Sequence, residues 1–301
     1  MEQLVKLVPI SSEILIYLAI DISIAILLLL SIRSLSGWFT KLSVRNELGE
    51  KDNFAFGISM AGRMLSLTIV LSAVVGRHMD LGYEASALGM LLYGAVGIVL
   101  VRVGRFFHDK LVLNRMDKNK LIAEKNVSVA LIDASSSIAS AIIIKSIINW
   151  SVGTDVNTLV AILSGTMITL SILLLTTRLY EISYASNNQN SGFQRALSQG
   201  QMALAIKHSG NLIGTAIVVS SAGAILVYEP ESYVSNMTGW FFTGVSFSIF
   251  LMLLTNISKR IILSGVNWKK EVDLQHNVGI ASIEFVLSVG LATLVAQLFI
   301  A

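Results

Sequence analysis

Apolar residues fall along this chain in eight runs of similar length, at 13–32, 54–75, 84–105, 127–149, 157–179, 202–227, 237–257 and 278–300. An α-helix rises about 1.5 Å per residue, so each run is long enough to cross roughly 30 Å of hydrocarbon. A soluble core has no reason to repeat that length. The pattern predicts an all-α integral membrane protein with eight transmembrane helices. Pro9 and Pro230 both lie outside the runs, so no proline interrupts a span. The first run is too long for a signal-peptide core and lacks a small-residue cleavage site, so it reads as a retained span.

The connections between runs alternate in character. Those after odd runs are long and carry seventeen basic residues, seven of them (Arg102, Arg105, Lys110, Arg115, Lys118, Lys120 and Lys125) in the second. On the other side stand only Lys6 and Arg77, and the short connection 228–236 carries Glu229 and Glu231 instead. The positive-inside rule puts the long connections in the cytoplasm and both termini outside it. A polar stretch at 185–195 lies near the midpoint, and the chain divides into membrane halves at 1–150 and 151–301.

Composition sharpens this picture. Charged residues make up 14% of the chain, hydrophobic residues 54%, and the mean hydropathy is +0.72. The net charge of +3 comes from basic connections rather than a basic face, which excludes nucleic acid as a partner. There is no cysteine, hence no disulfide and no thiolate chemistry. The four histidines, His78, His108, His208 and His276, form no metal-binding spacing, and no nucleophile elbow or phosphate loop is present. Neither catalysis, nor a metal, nor a cofactor is expected.

The even runs repeat. Asn53, Asn126, Gln201 and Asn277 each open one, at intervals of 73 to 76 residues. A carboxamide before a helix of small residues suggests an N-cap, a role for which glutamine is poorly suited. Ser59, Gly62, Arg63 and Ser66 also match Lys207, Gly210, Asn211 and Gly214, 148 residues later, and Met60, Asp133, His208 and Glu284 share one depth. Each repeat holds two spans, so the chain reads as four parallel two-helix units.

The stretches 53–66, 126–140, 201–215 and 277–290, with Asn-x-Ala-x-small followed by a small-Gly step, resemble the YjfL-like family of bacterial inner-membrane proteins (domain of unknown function 350). Members commonly have four spans, so this chain resembles a tandem duplication of that arrangement. Gln201 departs from the asparagine, and the pairs Ala61-Gly62 and Ser209-Gly210 have no counterpart in the second and fourth units. The resemblance implies a bacterial inner membrane and a link to envelope-stress or peptide-ligase neighbours. It implies no reaction.

Polar groups inside the runs are the candidate site: Asp21, Arg63, Asp133, Lys207, His208, Asn211 and Glu284. A charge at the bilayer centre costs at least about 2.5–3.5 kcal/mol, so several in one chain must face each other or water. Ser59, Gly62, Arg63 and Ser66 lie on one helix face, as do Asp133, Ser136, Ser137 and Ser140. The even helices are therefore expected inside the bundle and the odd helices outside. Arg63 and Lys207 are expected to balance Asp133 and Glu284, with Asp21 a further partner for Arg63. Two functions fit. One is a transporter or channel for an ion or small polar solute. The other is a scaffold, with the charges as staples and the connection 102–125 recruiting a cytoplasmic protein or anionic lipid. The small-residue stripes equally suit helix packing, and a homo-oligomer is compatible with either reading.

Overall fold

The computed structural model describes residues 11–40, 42–153, 155–188 and 192–300. Lys6, Pro9, Lys41 and residues 189–191 of the polar midpoint lie outside them. The described residues form α1 (Ser12–Thr40), α2 (Phe54–Leu71), α3 (Tyr83–Phe107), α4 (Lys118–Ala123), α5 (Val127–Trp150), α6 (Val156–Asn187), α7 (Phe193–Ser198), α8 (Met202–Ser220), α9 (Tyr233–Ile262), α10 (Trp268–Asp273) and α11 (Val278–Ile300). Eight of these are long and apolar enough to cross a membrane: α1, α2, α3, α5, α6, α8, α9 and α11. Every run read from the sequence corresponds to one of them.

The apolar runs gave no sign of the short helices. α4, α7 and α10, and a π-helical turn at Asn46–Glu50, each precede an even span by a few residues. The link between short helix and span is the same in all four units. The residue before each amide has a positive φ: Asp52 at 47°, Lys125 at 66°, Gly200 at 85° and His276 at 58°. The amide residue's own N–H then turns back to the short helix, from Asn126 to Leu121 O at 2.9 Å and from Gln201 to Ala196 O at 3.2 Å. This is a left-handed helix stop, repeated four times, and glycine fills it only once. A side chain in that conformation costs roughly 1 kcal/mol. Lys125→Gly is therefore expected to raise stability by about 0.5–1 kcal/mol, read as a higher unfolding midpoint in detergent.

The even spans stand in a row, α2 against α5, α5 against α8 and α8 against α11. Each later odd span fills the groove between two of them: α3 packs on α2 and α5, α6 on α5 and α8, and α9 on α8 and α11. The expectation of an inner even layer holds for α5 and α8, which are buried along most of their length. It fails for α11, which ends the row and leaves Val286 63% exposed. The four even helices thus form a line rather than a ring around a central cavity.

Small residues set the spacing of the row. A Cβ on Gly62 would lie 2.4 Å from Ala134 Cα, and one on Gly210 would lie 2.6 Å from Phe285 Cα. Both glycines stand nine residues after their amide, and both partners eight after theirs, so the first and third joints share one register. At such separations the helix backbones touch, as small-xxx-small contacts allow.

Candidate functional site

The register of the joints decides where the buried charges meet. At the α2–α5 joint, Asp133 sits 1% exposed among three cations. Its Oδ1 accepts from Arg105 Nε at 3.1 Å and Nη2 at 2.7 Å, and from Lys118 Nζ. Its Oδ2 accepts from the Ser59 hydroxyl and from Arg63 Nη2 at 3.4 Å. Ser59 also accepts from Arg63 Nη2 at 2.9 Å, which ties the two α2 residues together one turn apart. Lys118 opens α4, where the Asp117 side chain caps the helix, and reaches on to Asp109. Asp109 lies in a π-helical turn, His108–Val112, that extends α3.

Beside this cluster, between α1, α2 and α3, lies a cavity of about 260 Å³. Among the described residues, Arg63, Arg102, Arg105 and Lys118 line it with a single acid, Asp109. Ile32, Leu35, Ile98, Val101 and Phe106 form its apolar wall. Asp133 is already divided among three cations, so the bonds in the cluster leave this wall predominantly positive.

The α8–α11 joint repeats the arrangement with different chemistry. Glu284 lies 3.0 Å from Lys259 Nζ and 3.5 Å from Lys207 Nζ, and Lys207 also reaches Asp273 at 3.3 Å. Ser59 and Lys207 both stand six residues after their amide, and Asp133 and Glu284 both stand seven after theirs. Asn211, the counterpart of Arg63, accepts from the Ser288 hydroxyl at 3.1 Å. Among the described residues neither Glu284 oxygen has a hydrogen bond of good geometry, whereas Asp133 has several.

The remaining sequence candidates separate. His208 joins neither acid. Its ring lies 4.9 Å from Phe193 and 6.4 Å from His108, and among the described residues none of the four imidazole nitrogens has a hydrogen bond. Lys207 and His208 are adjacent in sequence, but successive helical residues diverge by about 100°, and so they serve different joints. Asp21 is not a partner of Arg63. It faces the turn after α2, beside the Gly76 backbone and near His78, with Oδ2 buried and, among the described residues, unbonded. Burial and the neighbouring Arg77 guanidinium push His78 below its ordinary pKa, and Asp21 opposes them.

The recurring amides do more than cap. Asn53, Asn126 and Asn277 do accept from the third N–H of their helices, and Gln201 does not. Common to the first three units is the donor. Asn53 Nδ2 reaches Ile122 O at 3.0 Å, Asn126 Nδ2 reaches Ser198 O at 2.9 Å, and Gln201 Nε2 reaches Asp273 O at 3.0 Å. Each unit is thereby latched to the end of the next unit's short helix, whose free carbonyls accept the bond. Asn277 donates instead within its own unit, to Glu271 at 2.9 Å.

The sequence missed Arg105, Lys118, Asp109, Lys259 and Asp273. All lie at span ends or in connections, where positive charge is expected for topology alone. The signal that would have found them is helical spacing: Arg102, Arg105 and Asp109 follow one face of α3 and its extension.

A family model described as Domain of Unknown Function (DUF350) matches residues 9–148 and again residues 154–299. Neither a curated protein nor a solved structure matches the chain.

Proposed function

We propose, from the premise that the chain belongs to the DUF350 family and carries its domain twice in tandem, that it is a membrane transport protein with a binding site for an anion. The observation that carries this reading is the cavity between α1, α2 and α3, where four cationic side chains line the wall with one acid. In a low-dielectric site, cations held this close repel one another unless a counter-ion joins them. Asp133, which keeps Arg63, Arg105 and Lys118 in place, and Asp109, which pairs with Lys118, supply part of that counter-charge from within the protein. An incoming anion supplies the rest. By the charge bias of the connections the cavity faces the cytoplasmic side of a bacterial inner membrane.

The scaffold reading rests on the same basic connection. Arg102, Arg105 and Lys118 line the cavity, which leaves Lys110, Arg115, Lys120 and Lys125 exposed for a partner. The deeper placement of Arg105 and Lys118, with Arg102 at the rim, favours a ligand inside the protein over a partner outside it.

The test is flux. Purified protein in liposomes is expected to take up at least one of phosphate, sulfate and chloride in a saturable manner. Arg102→Gln, at the rim of the cavity, is expected to weaken half-saturation about tenfold, equivalent to roughly 1.4 kcal/mol. Anion uptake indistinguishable between wild type and this variant, or uptake of cations alone, contradicts the reading.

A further inference from the structure

The cavity has two chemistries, and a small soluble anion uses only one of them. Its cationic part, Arg63, Arg105 and Lys118, lies at the α2–α5 joint. Its other part is aliphatic, built from Ile32 and Leu35 of α1 and from Ile98 and Val101 of α3. Phe106 lines the cavity and is also 55% exposed, so the cavity wall is continuous with the apolar outer surface of a spanning helix. A volume of about 260 Å³ suits a head group, not a whole lipid. Drug-sized ligand pockets run from about 300 Å³ upward, and the chains of a lipid need no pocket where they lie in the bilayer.

Resting on the anion reading above, we propose that the occupant is the phosphomonoester head group of a membrane lipid, its chains passing Phe106 into the surrounding hydrocarbon. A phosphomonoester carries about −1.5 to −2 charges at neutral pH and offers three strong acceptor oxygens. Arginine forks match those oxygens in pairs, and Lys118 adds a point charge. A phosphodiester head group brings one charge and fewer free oxygens, so it complements four cations less well. Basic pockets between spanning helices on the positive side are where such head groups bind.

The experiment is competition binding, followed by native mass spectrometry. Full-length protein in neutral detergent is offered phosphatidylcholine, phosphatidylglycerol and phosphatidic acid at equal concentration. The expected result is one retained phosphatidic acid, with Arg102→Gln binding it about fivefold to tenfold more weakly. Ile98→Trp, which fills the aliphatic part and leaves the cations in place, is expected to weaken the lipid more than inorganic phosphate measured by equilibrium dialysis. Equal retention of all three lipids, or phosphatidic acid retained unchanged by both variants, overturns the lipid assignment. Phosphate bound by the wild type with no lipid retained also overturns it, while leaving the anion reading intact. If neither phosphate nor lipid binds, both fail.

Discussion

Asp133→Ala is expected to destabilise the protein by about 3–5 kcal/mol, because it removes the acid shared by two buried cations, Arg63 and Lys118, and the half-buried Arg105. The loss is not the sum of three favourable pairs. It is the cost of leaving Arg63, Arg105 and Lys118 close together without that carboxylate. The measurement is the unfolding midpoint in mild detergent, with Asp133→Asn alongside to keep the shape and the Ser59 contact. Glu284→Ala is a useful comparison. Glu284 is shared by only two cations, and Lys207 keeps Asp273 when it is gone, so the expected loss is smaller. Equal losses at the two acids would mean that the clusters are not distinguished by their cation load.

The second large effect concerns the joints. Gly62→Ala places a methyl 2.4 Å from the Ala134 backbone, and Gly210→Ala places one 2.6 Å from that of Phe285. Backbone cannot rotate away as a flexible side-chain tip does, so the helices must separate. Overpacking of this kind costs about 1–3 kcal/mol, and each separation also strains the neighbouring amide latch. Gly290 is the internal control. It lies within α11 with nothing within 4 Å of a built Cβ. Gly290→Ala is therefore expected to be neutral or stabilising by about 0.5–1 kcal/mol. Unfolding midpoints of the three variants decide the matter, and a Gly62→Ala protein as stable as Gly290→Ala would show that the α2–α5 contact is looser than described.

The same comparison sets the outer face of α11 apart from the joints. Gly62, Ser135 and Gly210 occupy the ninth position after the amide in the first three units, and Val286 occupies it in the fourth. A branched side chain at that position keeps a further helix from approaching as closely as in the first and third joints. The face of α11 that would continue the row instead carries exposed Ile283 and Val286, suited to lipid.

Much of this architecture was legible in the sequence because hydrocarbon thickness imposes one length on every span. The charges that violate that pattern were equally visible, and the pairs Arg63–Asp133 and Lys207–Glu284 do form. Their further partners were hidden. Arg105, Lys118 and Lys259 sit where a cation needs no explanation beyond topology, and apart from the helix face that Arg105 shares with Arg102 and Asp109 nothing in the sequence singles them out. The short helices were hidden because six polar-and-apolar residues carry too little periodicity to recognise. Their stop signal was disguised as well, since Asp52, Lys125 and His276 hold a conformation that glycine usually marks. The amides were legible as caps in three units, and only their second role as donors to the next unit was hidden. Gln201 contradicted a cap, and the contradiction was the clue, because glutamine loses the cap but keeps the amide donor that binds the next unit.

An experimental structure of the purified protein in native membrane lipid tests the central claim most directly. The account predicts density for a bound anion in the cavity between α1, α2 and α3, within hydrogen-bonding distance of Arg105 and Lys118. A cavity free of such density, with its walls closed and Arg105 and Lys118 satisfied by Asp133 and Asp109 alone, would contradict it.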